Sequence, residues 1–428
     1  MSEKNNRSLT PRGWGIALFA LAAAMRLGYA SLGVEVSPQD TPDYDEIAAN
    51  LLAGEGFVAR ENWFGYDMRS WRAPLYPGFL AAVYGLFGSS HVPVKIAQSL
   101  LGAATAVLVY GIARAIRPQA ALLAGVAASL YLPLVAGASE VMTETLFTFL
   151  LVLALYLSIS TRPTPRDGGP RLMTVGVAVG LAALTRPVGL LLWPVEMLHS
   201  QLAGTGRLRR CLWISLGVVA TVAPWTARNF QVHSAFVPIS THGGFVFARS
   251  NGPSPDWRQA DGWGIEKRTF ERIPGEVERD RYWLAQGMQR VSGDPALYLR
   301  WVGERFLRFW YFFQPGYNFS YMVVLPLFAA GFLLVWRRHG FDLLAAVIAA
   351  FVFIFSTLLY GSARFRLPLE PLFILFAAAF TQYAWHRWGA GRTSALVGGL
   401  ISANGLVWLY EERARAALLA LLETGGLK

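Results

Sequence analysis

WGIALFALAAAMRLGYASLG (Trp14–Gly33) and, seven positions on, DTPDYDEIAANLLAGEGF (Asp40–Phe57) decide the architecture. The first run carries one charge, Arg26, in 20 residues. About 20 apolar residues rising 1.5 Å each cover the roughly 30 Å of hydrocarbon in a bilayer, so this run reads as a membrane span. The second run is its opposite, with Asp40, Asp43, Asp45 and Glu46 crowded at the surface the span has just reached.

The rest of the chain repeats the first pattern. Of 428 residues, 54% are hydrophobic and 15% charged, and the mean hydropathy is +0.37, too apolar for a soluble protein of this length. A net charge of +11 has an ordinary origin in the short cytoplasmic loops of membrane proteins, which collect Lys and Arg, so it is not read as nucleic-acid binding. One cysteine, Cys211, leaves no disulfide framework and no thiolate metal cluster.

Spans read at Trp14–Gly33, Pro93–Ile116, Ala120–Ala138, Val141–Ser160, Leu172–Thr185, Val188–Met197, Cys211–Trp225, Tyr321–Trp336, Phe341–Tyr360, Leu367–Trp385 and Thr393–Tyr410. The fold class is an all-α polytopic membrane protein of about 10–12 transmembrane helices, one integral-membrane domain over residues 1–428. Met1 to Gly13 is polar and basic without a cleavage site, so the first span is expected to stay as an anchor. Arg186-Pro187 splits two short spans, and Pro187 lacks an amide hydrogen, which predicts a turn or a broken helix there. Lys4 with Arg7 and Arg12, Arg114 with Arg117, Arg162 with Arg166 and Arg171, Arg207 with Arg209 and Arg210, Arg337 with Arg338, and Arg387 with Arg392 fall on one side if the spans alternate. That side is expected to be the cytoplasm, with the N-terminus on it. Two long polar segments, 34–92 and 227–319, then face outward, to the periplasm or cell exterior. The terminal Glu411–Leu422 reads as an interfacial or packed helix.

In the first outer segment Thr41 can cap a helix, Pro42 suits its first turn, and Asp43, Asp45 and Glu46 serve its dipole. Capping does not account for Asp40. Farther on, MRSWRAPLYP (Met68–Pro77) sets Arg72 before a proline-bounded aromatic turn. On this topology Arg72, Arg186, Arg228, Arg364 and Arg366 all lie at outer span ends, each in a proline-containing or aromatic context. Cations near hydrocarbon depth are normally paired or functional, and the guanidinium fork suits phosphate. Five of them imply an anionic ligand at the membrane surface, a lipid phosphate. Glu140 and Glu144, four apart and so on one helix face, either pair with these arginines or act in the chemistry, and Glu370 starts a helix in the same way. His233 and His242 have no metal-ligand spacing and read as structural or surface residues. Trp257, Trp263, Tyr282 and Trp283 make 227–319 a reasonable place to recognise an acceptor sugar, whereas interfacial packing accounts better for Trp301 and Trp310.

Six short patterns occur in order: Asp40 with Tyr44, Ile47-Ala48 and Gly54-Glu-Gly56; Arg72-Ala-Pro-Leu-Tyr-Pro77; Ser139 with Thr143-Glu144; Thr185-Arg-Pro187; Pro224-Trp225 with Arg228-Asn229; and Arg364-Phe-Arg-Leu-Pro368. In this the chain resembles the type C glycosyltransferases, in particular the bacterial branch similar to protein O-mannosyltransferases (glycosyltransferase family 39) and to the aminoarabinose transferases that act on lipid A. The resemblance implies short helices in the first outer loop above a cavity and inverting transfer at the outer face of a bacterial inner membrane. The donor it implies is a polyprenyl-phosphate (undecaprenyl-phosphate) sugar. It makes the carboxylate just after the first span the catalytic one, Asp40. Thr41 stands where relatives often carry Glu, which keeps Asp43 open as the alternative. Tyr44, Glu140, Glu144 and Glu370 are then supporting groups, and Arg72, Arg186, Arg228, Arg364 and Arg366 hold the donor phosphate. No cofactor is required, and a divalent metal is compatible with this scheme without being indicated. The acceptor is a lipid, glycan or protein left open. Two rivals share the outer arginines: a lipid or solute transporter or flippase, and a surface-polysaccharide polymerase or ligase. The absence of a clear internal repeat and the clustering of charge at one face favour an enzyme over the transporter.

Overall fold

Apolar runs fold as helices because hydrocarbon offers no water to the backbone and a helix pairs each amide within its own segment. A computed structural model describes residues 10–33, 40–61, 66–160, 169–202, 206–252, 273–312 and 318–413. In chain order the helices are α1 (Pro11–Ser31), α2 (Thr41–Leu52), α3 (Leu75–Phe87), α4 (His91–Ile116), α5 (Ala121–Leu130), α6 (Leu132–Gly137), α7 (Thr143–Ser160), α8 (Gly169–Thr185), α9 (Leu192–Leu202), α10 (Arg207–His233), α11 (Gly243–Ser250), α12 (Glu276–Gly293), α13 (Pro295–Trp310), α14 (Phe319–Val335), α15 (Phe341–Thr357), α16 (Glu370–Trp388) and α17 (Ala390–Leu409). Extended pairing among the described residues is confined to one bridge, Ala59 with Met68.

The protein is an all-α polytopic membrane protein. Five of the described helices are long and apolar enough to cross a membrane: α1, α4, α7, α10 and the run Ala363–Trp388 that ends in α16. Leu75–Phe87, Pro118–Leu130, Gly169–Thr185, Phe319–Val335 and Phe341–Thr357 are shorter apolar helices beside them. The bundle packs α1 on α4 and α5, α4 on α7, α7 on α8, α8 on α10, and α14 on α16. Small residues set the closest crossings. A Cβ on Gly176 of α8 would strike the backbone of α10 at Ile214 and Gly217, and one on Gly331 of α14 the backbone of Phe376 in α16. Where lipid is as apolar as the side chains, such close backbone approach is what holds helices together.

Four details differ from the sequence reading. Residues 34–92 contain, besides α2, the apolar helix α3, whose 13 residues reach only about 20 Å and so do not span. The span read at Ala120–Ala138 breaks at Tyr131, where the chain is extended (φ −67, ψ 107) ahead of Pro133. Helix α10 continues to His233, through Pro224, and takes the first residues of the segment read as loop from Ala227. Thr41 is the first residue of α2, not its cap, and its hydroxyl donates instead to the Val141 carbonyl at 3.1 Å. The break at Arg186-Pro187 is as read: α8 ends at Thr185, Arg186 is extended, and one 3-10 turn follows. Trp257, Trp263, Arg7 and most of Glu411–Leu422 lie outside the described residues.

Outside the bundle, α2 packs on α3 and α11 on α12. A separate apolar cluster of Ile47, Phe57, Met68, Trp71, Phe245, Ala248 and Trp283 joins the segment after α1 to the segment after α10.

Candidate active site

Three stretches far apart in sequence meet at the start of α2. Asp40 sits at the N-cap position but makes no side-chain cap bond, so its carboxylate is available to other partners. Arg72 Nη2 donates to Asp40 Oδ1 at 2.9 Å and to Asp43 Oδ2 at 2.6 Å, and Arg72 Nε to Asp43 Oδ2 at 3.0 Å. The other oxygen of Asp40 accepts from Arg364 Nη2 at 3.0 Å. Arg364 Nε also donates to Glu144 Oε1, and Arg186 Nη1 lies 2.8 Å from that same oxygen. Under Arg72 stands the Tyr44 ring, 5.1 Å from the guanidinium, edge-on to Tyr76.

Three arginines thus face three carboxylates in a chain running Asp43, Arg72, Asp40, Arg364, Glu144, Arg186. Exposure rises toward one link: Glu144 is 3% exposed, Arg72 12%, Asp40 30% and Arg364 37%. The Asp40–Arg364 pair, the middle link, is therefore the most exposed part of the network. Burial by itself would push the Asp40 carboxyl up, but Arg72 and Arg364 outweigh it and hold the group well below the usual carboxylate range. Glu140 takes no part in these ion pairs. Burial and the nearby Glu144 charge, against Arg364, push its carboxyl up to about 7. Its backbone carbonyl accepts from Gln98 Nε2 at 2.7 Å.

Three expected residues are elsewhere. Arg366, 1% exposed, spends its fork on Glu370 Oε1 at 2.9 Å and on the Phe309 and Tyr311 carbonyls at 2.6 and 3.0 Å, with Tyr321 stacked against it. It and Glu370 form a buried pair that ties the end of α13 to α16, and a phosphate has no approach to either. Arg228 reaches the first outer segment without joining Asp40: its Nη1 donates to the Arg69 carbonyl at 2.7 Å and to Ser70 Oγ at 3.0 Å, and its Nη2 to the Phe57 carbonyl at 3.2 Å. Both histidines are packed. His233 Nε2 lies 2.8 Å from Ser70 Oγ, and His242 sits against Trp71 and Phe245, where burial and Arg72 push it down to about 3 and keep it neutral. Among the described residues no group of three or more His, Cys, Asp or Glu could hold a metal ion.

A cavity of about 200 Å³ is lined by Arg249, Trp301, Glu304, Arg305, Arg308, Tyr360 and Gly361, and none of the six residues of the ion-pair chain lines it. Trp301 lines this cavity, whereas Trp310 is packed against the buried Phe373 at 5.7 Å within the bundle. Sequence reading missed Arg249 and Tyr360, because an arginine in an outer loop and a tyrosine at a span end have no pattern of their own. The cavity forms only when α11 and α13 come together with the chain after α15.

The model of a family described as dolichyl-phosphate-mannose-protein mannosyltransferase matches residues 71–226, which include Arg72, Glu144 and Arg186. Among solved structures the chain is similar to ArnT from Cupriavidus metallidurans bound to undecaprenyl phosphate, at TM-score 0.60 and 15% identity over 92% of this chain and 64% of that one. The fold is that of the type C glycosyltransferases. An archaeal oligosaccharyltransferase, AglB from Archaeoglobus fulgidus, in complex with an inhibitory peptide and a dolichol-phosphate, has the same type C fold at TM-score 0.58 and 13% identity over 94% of this chain and 54% of that one. The same enzyme in the apo form superposes at TM-score 0.59 and 14% identity, over 93% and 55%. This chain therefore spans about two thirds of the ArnT chain and about half of the AglB chain. No curated protein sequence matches it.

Proposed function

We propose that the protein is an inverting glycosyltransferase that moves a sugar from a polyprenyl-phosphate carrier to an acceptor hydroxyl at the outer face of the bacterial inner membrane. The observation that carries this reading is Asp40, whose two oxygens are gripped by Arg72 and Arg364 at 2.9 and 3.0 Å while the group stays 30% exposed. The type C fold and two solved relatives holding polyprenyl phosphates support it.

In this reading the acceptor oxygen attacks the anomeric carbon from the face opposite the phosphate, and the bond from that carbon to the phosphate oxygen breaks with its electron pair leaving on the phosphate. The acceptor proton passes to Asp40. Held ionised by two arginines, Asp40 is a weak base at rest, so its first contribution is to orient the hydroxyl. It takes the proton late, once bond formation to carbon has made that proton acidic. Arg364, the most exposed arginine of the network, offsets the charge growing on the departing phosphate.

The test incubates the purified protein in lipid with radiolabelled polyprenyl-phosphate sugars and membrane extract, and measures free polyprenyl phosphate. Release by the wild type and its loss, by about 1,000-fold, in Asp40→Asn is the expected outcome, in line with removal of a group acting in the transition state. Full activity of Asp40→Asn overturns the role of Asp40. Movement of labelled lipid across vesicles without release would make the protein a transporter.

A further inference from the structure

Residues 69–74 have no regular secondary structure: the chain leaves the Ala59–Met68 bridge and does not enter α3 until Leu75. The segment has no helix or strand of its own to fix Arg72, yet the cluster depends on where its guanidinium lies. The backbone just ahead of it is held from outside, by a different part of the chain. Glu276, at the first turn of α12, accepts the Arg69 amide at 2.8 Å and the Ser70 amide at 3.1 Å, and the Thr241 hydroxyl as well. Thr241 in turn donates its amide to the Ser70 carbonyl at 2.9 Å. Ser70 Oγ donates to Asn229 Oδ1 at 2.9 Å, and Arg228 closes on the Arg69 carbonyl. Every backbone polar group of Ser70 and both of Arg69 are thereby occupied, chiefly through one carboxylate whose side chain is only 4% exposed.

We propose that Glu276 is a positioning residue for the transfer reaction: by clamping the Arg69 and Ser70 amides it fixes Arg72 against Asp40 and Asp43. This rests on the functional reading above. A buried carboxylate satisfied by backbone N–H groups gives short, charge-assisted bonds and a rigid anchor, and a displacement of about 1 Å in a catalytic group can cost about 100-fold in rate. The geometry also makes the second outer segment, which carries α11 and α12, a determinant of the first. Its apolar contact through Trp71, Phe245 and Trp283 places the two together, and Glu276 sets the register.

Glu276→Gln keeps the shape and removes the charge. The expected result is a fall of about tenfold or more in kcat with the KM for the donor within about twofold, since the clamp touches no substrate. In an Arg72→Lys background the same change should cost less than about twofold further, because both act through one guanidinium. Fully multiplicative losses, or an unchanged kcat, overturn the proposal. Amide hydrogen exchange over the peptide containing residues 69–74, measured on the whole protein in detergent, gives a second readout independent of turnover. Faster exchange in Glu276→Gln supports the clamp, and identical exchange removes it even if no donor proves active. A wild type that releases no polyprenyl phosphate from any donor would instead sink the functional reading, leaving the exchange measurement to decide the clamp.

Discussion

Asp40 and Asp43 share one arginine and differ in the second. Asp43 is bound by Arg72 alone through one oxygen, whereas Asp40 bridges Arg72 and Arg364 and is the more exposed of the two, at 30% against 20%. Asp43→Asn is therefore expected to keep roughly a tenth of the activity or more by disturbing Arg72, while Asp40→Asn keeps about a thousandth, a contrast read in the same release assay. Asp40 and Glu140 carry opposite pH signatures. Asp40 is depressed, so the stability it lends is present above its ordinary value near 3.8 and is lost only as the pH falls below that toward the folded value. Glu140 is raised from 4.5 to about 7, so the neutral form is the one the folded protein prefers: its contribution is fully present below about 4.5 and gone once the pH passes about 7. Glu140→Gln should accordingly shrink the drop in thermal midpoint between pH 5 and pH 8, and an unchanged drop would show that Glu140 does not titrate in this window. The sequence exposed Asp40, Arg72, Glu144, Arg186 and Arg364 as candidates because a charge at a span end needs a reason. It could not tell which charges answer one another, since the partners are up to 324 positions apart.

At the scale of elements, Arg366 shows what that blindness costs. It lies two residues after Arg364 in the same short helical turn, Ala363–Arg366, and the sequence offers no basis for separating them. About 100° of rotation per residue does: Arg364 points to the first outer segment and Arg366 into the bundle against Tyr321 and Glu370. Removing one member of a buried pair strands the other, at a cost of about 3–5 kcal/mol, whereas replacing both by apolar residues is often neutral. Arg366→Leu should thus lower the thermal midpoint in detergent markedly, and Arg366→Leu with Glu370→Leu should recover much of the loss. Failure of the double variant to recover would mean that the bonds to the Phe309 and Tyr311 carbonyls, not the pair, are what matters. The same scale explains the helix corrections. Pro133 breaks a run that hydropathy alone reads as continuous, because hydropathy does not register a missing amide.

For the whole molecule, the basic residues near the span ends lead to the expectation that the Asp40 network lies outside and the arginine-rich turns inside. In a Cys211→Ala background, Ser89→Cys in the exposed turn between α3 and α4 should react with a membrane-impermeant maleimide in intact cells, and His339→Cys in the turn between α14 and α15 only after lysis. The reverse pattern would put the site in the cytoplasm and remove a polyprenyl-linked donor at the outer face. Composition and apolar run length by themselves determined that this is an all-α membrane protein and where most helices lie, and they singled out a handful of arginines and carboxylates at span ends as candidates. Each of those follows from the cost of placing a charge or an unpaired amide in hydrocarbon, which acts on every residue locally. Only the tertiary structure decided that Arg72, Arg186 and Arg364 join Asp40 while Arg228 and Arg366 do not, that Arg249, Trp301 and Tyr360 line one cavity, and that Glu276 holds the backbone ahead of Arg72. Those depend on directions and distances between helices, which pairwise packing sets and no local run of sequence records.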